Sequence, residues 1–162
     1  MKKKCVIIGI GNPYLQDDRA GLVVAKRLSR QLPTCPTECI YSAGLEIIDK
    51  VRGYERAIIV DACRLGYAPG VISEVSMDDI LTSRPPINSH TVALGSALKT
   101  GYACFPGEMP KDIRIFLIEV KELEEFNLLM SPEVEQSVDK VVNAIKTLLL
   151  DTFSSENKPT HP

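Results

Sequence analysis

The chain has 162 residues, 44% of them hydrophobic, 25% charged and 6% aromatic, which suffices for one soluble domain with one core and leaves no room for a second. Lys and Arg number 19 against 21 Asp and Glu, a formal net charge of −2, which excludes a general electrostatic affinity for nucleic acid or an anionic membrane. The apolar run Cys5 to Ile10 is too short for a signal peptide and no stretch approaches the ~20 apolar residues of a membrane helix, so a cytoplasmic protein is expected.

Along the chain, apolar runs alternate with helical periodicity, the pattern of a layered α/β domain with a mostly parallel sheet. Cys5-Val6-Ile7-Ile8-Gly9-Ile10 reads as a strand buried on both faces. Leu22, Ala25, Leu28 and Leu32 recur at helical spacing until Pro33 and Pro36 end the helix. Glu38 to Tyr41 reads as a second strand, Leu45 to Val51 as a short helix, and Arg56 to Asp61 as the central strand, with Asp61 its last residue. Gly70 to Val75 alternates apolar and polar, as an edge or antiparallel strand does. Pro85-Pro86 marks a loop that carries His90, and a short helix follows over Val92 to Lys99, with Ser89 or Thr91 as its cap. Ile113 to Val120 is a strand, and Ser131-Pro132-Glu133-Val134-Glu135 opens a last helix. The expected organisation is one α/β domain over 1–151 and a polar, disordered tail over 152–162.

Several chemistries are excluded by what the chain lacks. The five cysteines are an odd number without a C-x-x-C spacing, which suits free thiols and not a disulfide framework or a structural zinc site. Of the two histidines, His161 falls in the tail, so no site built on two core histidines is available. Gly9-Ile10-Gly11 invites a dinucleotide reading, but Tyr14 stands where the third glycine belongs and no acid follows the second strand. The two glycines are then read as turning the chain off the strand. A phosphate loop, a serine-hydrolase elbow and the aspartic-protease tripeptide are all missing.

The chain does supply a set of polar groups at the carboxyl ends of the strands, where open α/β sheets form their ligand crevice. Asp17-Asp18 closes the loop after the first strand, and one of the two is expected to cap a helix. Asp61 abuts Ile58-Ile59-Val60, a costly place for a charge unless it is paired or ligating. His90 can reach the same edge from its loop. Two carboxylates and an imidazole make an open O/N set suited to a borderline divalent metal. Cys63, two residues past Asp61, has no second histidine to activate it as a nucleophile.

These residues resemble the maturation endopeptidases of nickel–iron hydrogenases. Gly9-Ile10-Gly11-Asn12 with Asp17-Asp18 and Gly21 is similar to that family's first motif. Ile58 to Ala62 with Gly66 and Pro69-Gly70 is similar to its central strand and turn, Ser89-His90 with Leu94 to its histidine loop, and Ser131 to Val134 to the start of its last helix. The resemblance runs in order from Val6 to about Leu149 and implies a three-layer α/β/α fold around a twisted, mostly parallel sheet. It implies an endopeptidase whose partner is a hydrogenase large-subunit precursor, from which it removes a C-terminal extension after nickel insertion. The family's site residues fall on Asp18, Asp61 and His90, which would serve as catalytic residues and as ligands of nickel carried by the substrate. Asp17 is the second choice among the acids. Other divalent ions could enter the isolated protein, and the oligomeric state is left open, a monomer being one possibility. The ion either polarises the reacting groups or serves recognition alone, and a non-catalytic, nickel-sensing chaperone is the rival reading. Arg19 stands where the family usually has glycine; it would be strained if a positive φ were needed, or it could meet a substrate carboxylate.

Overall fold

The computed structural model describes residues 1–82, 89–121 and 129–156; at 80–82, 89–90 and 152–156 the description is of the backbone. In chain order the elements are β1 (Lys3–Ile10), a 3₁₀ turn (Asp17–Arg19), α1 (Ala20–Gln31), β2 (Thr37–Ile40), α2 (Glu46–Val51), β3 (Tyr54–Cys63), β4 (Ile72–Ser76), α3 (Met77–Thr82), α4 (Ser89–Cys104), β5 (Asp112–Glu119) and α5 (Pro132–Glu156). The strands form one sheet in the order β2-β1-β3-β5-β4. β2, β1, β3 and β5 run parallel, and β4 joins β5 antiparallel at the edge, in keeping with its alternating sequence.

Alternation along the strands sorts the core into two faces. Val6, Ile8, Ala57, Ile59, Ile113 and Ile115 meet Ile47, Ile48, Leu94 and Leu98 of α2 and α4. Ile7, Ile58, Val60, Phe116 and Ile118 meet Val24 and Leu28 of α1 and Val134, Val138 and Val141 of α5. The result is the expected three-layer α/β/α sandwich, with both sheet faces covered; this is why the central strands read as unbroken apolar runs.

Helix α1 sits unusually low on the sheet. A Cβ at Gly9 would lie 2.3 Å from the Gly21 carbonyl oxygen and 2.7 Å from Ala25 Cβ, and one at Gly21 would lie 2.4 Å from the carbonyl oxygens of Ile10 and Val60. Gly11 is bounded in the same way by the Asp18 carbonyl, 2.2 Å from where its Cβ would be. Neither Gly9 nor Gly11 has a positive φ. They are present for close backbone approach, not to turn the chain as the sequence suggested.

Several elements differ from expectation. β3 continues past Asp61 to Cys63, because Ala62 and Cys63 find partners in Ile118 and Glu119 of β5. α3 was not anticipated. α4 begins at Ser89, so His90 lies in its first turn and not on a loop. α5 runs to Glu156, past the boundary expected at 151, while the remainder of the tail, with His161, lies outside the described residues. The expected loop at Pro85-Pro86 also lies outside them.

Candidate functional site

The first segment of the site is the loop between β1 and α1, which is stiffened by its own polar side chains. Asn12 Oδ1 accepts the Tyr14 N–H at 3.0 Å, an Asx-type turn, and the Asn12 N–H donates to Asp18 Oδ2 at 2.9 Å. Asp18 is thereby aimed inward from the 3₁₀ turn ahead of α1 while spending one carboxylate oxygen on the loop. Arg19, next to it, sits in the right-handed region with φ −77°, so the replacement of glycine introduces no backbone strain.

Asp61 provides the second segment. Pleat alternation places it on the same face as Ile59 and Cys63, beneath α4. It is 2% exposed, and its Oδ2 has no hydrogen-bond partner. Burial, and then the negative charge of Asp18 nearby, push its carboxyl up to about 8, offset in part by the Ala62 N–H. The buried Asp61 carboxyl therefore holds its proton beside the half-buried Asp18 at neutral pH, and a cation at this point could take that proton's place.

The third segment is the first turn of α4. α4 precedes a strand parallel to β3 and so runs back along the sheet, which leaves its N-terminus at the carboxyl edge. Thr91, Leu94 and Leu98 recur at helical spacing on the inward stripe; Leu94 and Leu98 are fully buried, and Thr91 is 4% exposed with its hydroxyl unpaired. The backbone puts His90 beside this stripe, above the face that carries Asp61; its side chain lies outside the described residues. Asp18 and Asp61 are brought together as expected, and among the described residues no third Cys, His, Asp or Glu joins them in a metal-binding cluster.

Asp17 does not cap its own helix, and both its carboxylate oxygens are taken. Its Oδ1 accepts the Ser131 N–H at 2.7 Å and its Oδ2 the Ser131 hydroxyl at 2.8 Å, tying the loop to the residue before α5. A second satisfied carboxylate escaped notice in the sequence. Glu119, at the end of β5 and 3% exposed, accepts the N–H groups of Leu65 and Gly66 at 2.9 Å and thereby holds the turn after β3. Cys63 donates its thiol to Glu119 Oε2 at 3.4 Å. Burial and that carboxylate push the Cys63 thiol well up, the opposite of what a nucleophile requires.

Among the described residues, the buried side-chain polar atoms without a partner are Asp61 Oδ2, Thr91 Oγ1 and Arg19 Nε. All three come from the loop, strand end and helix start that meet at this edge. Buried polar groups are normally paired, so three unpaired ones at this edge are unusual. The carboxylate oxygens of Asp18 and Asp61, one of them buried and unspent, are donors of the kind that suit a divalent ion bringing further ligands of its own.

Residues 41–148 match the family model described as HycI, hydrogenase maturation protease. The chain is 20% identical over 142 residues to the hydrogenase expression/formation protein HupD of Thiocapsa roseopersicina, a match covering 85% of this chain and 63% of that protein's length. It superposes on the hydrogenase maturating endopeptidase HybD from E. coli with a TM-score of 0.75 at 23% identity, covering 92% of this chain and 93% of that one. The [NiFe] hydrogenase maturation protease HybD from Thermococcus kodakarensis gives 0.71 at 22% identity, covering 90% and 98%. At these identities the structural likeness is one of fold.

Proposed function

This chain belongs to the hydrogenase maturation protease family, and from that premise we propose that it removes the C-terminal extension of a nickel–iron hydrogenase large-subunit precursor once nickel has been inserted. The observation that carries this reading is the unpaired, fully buried oxygen of Asp61 beside Asp18. A precursor that carries nickel brings a cation that can take the place of the proton Asp61 holds beside Asp18, whereas an empty precursor leaves Asp61 protonated. Asp18, Asp61 and His90 are the side chains assigned to that contact. The substrate's own thiolates complete the ion's coordination. Hydrolysis further needs a base for the attacking water, and the carboxylates at this edge are the groups within reach of that proton.

Cleavage is then conditional on metallation, because most of the discriminating interaction is absent without the ion. Action in the cytoplasm suits the five free cysteines and belongs to the same proposal. The test is incubation of the full chain with nickel-loaded precursor, followed by mass measurement of the large subunit. Loss of a C-terminal segment is the expected result. Stable binding without shortening would replace the enzyme by a nickel-sensing chaperone.

A further inference from the structure

Beside the carboxylate pair lies a second feature that the proposed reaction does not use. A cleft of about 220 Å³ opens between α1 and the end of β2, with Pro13, Leu22, Val23 and the exposed Tyr41 as its walls. Arg19 and Lys26 both line it. They are seven residues apart, Arg19 at the N-cap of α1 and Lys26 about two turns along it, and the tilt of helical side chains toward the N-terminus leans Lys26 back toward Arg19.

Neither cation has a carboxylate partner among the described residues. The contrast is with Arg27 on the same helix, which pairs with Asp139 of α5. Arg19 also keeps its Nε buried and without an acceptor. A guanidinium N–H withdrawn from water with no acceptor is an unfavourable arrangement in the free protein. An incoming carboxylate corrects it, since the guanidinium fork matches that group. The apolar walls suit the side chains and backbone of an extended peptide.

We propose that this cleft binds a carboxylate-bearing stretch of peptide next to the bond that is cut, with Arg19 taking the carboxylate and Lys26 adding charge. The inference rests on the precursor being the substrate, because Arg19 adjoins Asp18 and places the cleft within a few residues of the cut. It adds a substrate feature independent of the metal: acidic character near the cleavage site. The carboxylate comes either from an Asp or Glu side chain or from a chain terminus, and these share the same chemistry.

The experiment uses the full-length protein and three short fluorescent peptides: one with glutamates and an amidated end, one with glutamines and an amidated end, and one with glutamines and a free terminal carboxylate. Binding is read by anisotropy at low salt. A carboxylate-bearing peptide is expected to bind about fivefold or more tighter than the neutral one. Preference for the glutamate peptide assigns a side chain, and preference for the third assigns a terminus. Arg19→Gln and Lys26→Gln should each remove most of the preference, whereas Lys99→Gln on α4 should keep it. Lys26 is exposed, so its variant folds irrespective of any role for Arg19. Equal binding of all three peptides, or equal effects of Lys26→Gln and Lys99→Gln, would overturn the proposal. Peptide binding needs neither nickel nor cleavage; a preserved preference with unprocessed precursor would sink the protease reading and leave the cleft standing.

Discussion

Asp17 and Glu119 on the one hand and Asp61 on the other are carboxylates buried to the same depth, 2% to 3% exposed, at the same edge of one sheet. The first two are saturated: Asp17 by the N–H and hydroxyl of Ser131, Glu119 by the N–H groups of Leu65 and Gly66. Asp61 keeps one oxygen without any partner and faces another negative charge. Burial alone therefore does not separate a structural carboxylate from a functional one. On the proposed reading satisfaction does: the first kind holds the chain together, and the second is left for a ligand to complete.

Substitutions can break or sharpen that contrast. The largest effect is expected at Asp61. Asp61→Asn keeps the shape and removes the charge, so processing of loaded precursor should fall by about a thousandfold or more, the equivalent of several kcal/mol. The free protein should at the same time become more stable. The Asp61 carboxyl in the folded chain sits at about 8 against the ordinary carboxylate value of 3.8. The folded state therefore holds its proton more tightly, and stability is lost as pH rises from the lower value through the upper. Thermal melts of the wild type should decline across that window more steeply than those of Asp61→Asn. Identical profiles would mean that Asp61 is not held at a cost.

Glu119→Gln should do the reverse. Glutamine offers one acceptor oxygen where the carboxylate offers two, so about 2 kcal/mol of stability should go, read by chemical denaturation. The folded fraction should still process precursor. Asp17→Asn should cost about 1 kcal/mol by the same measurement, since one of the two bonds from Ser131 loses its acceptor. Processing at saturating, nickel-loaded precursor should stay near wild type. A thousandfold loss there would mean that the wrong acid has been assigned to the metal.

The smallest stability effect is expected at Thr91. Thr91→Val replaces an unpaired buried hydroxyl with a methyl group of the same shape, so the melting temperature should stay or rise slightly. If that hydroxyl meets the substrate, as its orphaned state implies, processing should fall by about tenfold. A drop in stability with unchanged processing would make Thr91 an ordinary core residue.

What could be read from the sequence followed the range of the interactions concerned. Asp61 stood out because its neighbours in the chain, Ile58 to Val60, already declare an apolar strand, and the cost of a charge there is local knowledge. The layered architecture followed from periodicity in the same way. Glu119 did not stand out, because the amides it serves are 54 and 53 residues away, and an acid at a strand end looks like a solvated one. Asp17 was left between two roles because its partner, Ser131, lies 114 residues on. The start of α4 was misplaced for another reason: Ser89 and Thr91 both looked like caps, and Thr91 proved to be on the buried stripe. Gly9 and Gly21 announce only that a side chain is absent; that α1 needs the space becomes visible once helix and strands are packed.

The measurement that bears most directly on the central claim separates nickel in the substrate from nickel in the enzyme. Chelator-treated protein is mixed with nickel-loaded precursor, nickel-treated protein is mixed with metal-free precursor, and the release of the C-terminal segment is followed in both. If the unsatisfied carboxylate at Asp61 reads the substrate's ion, the first mixture is processed and the second is slower by about a thousandfold or more. Equal rates in the two mixtures would contradict the account.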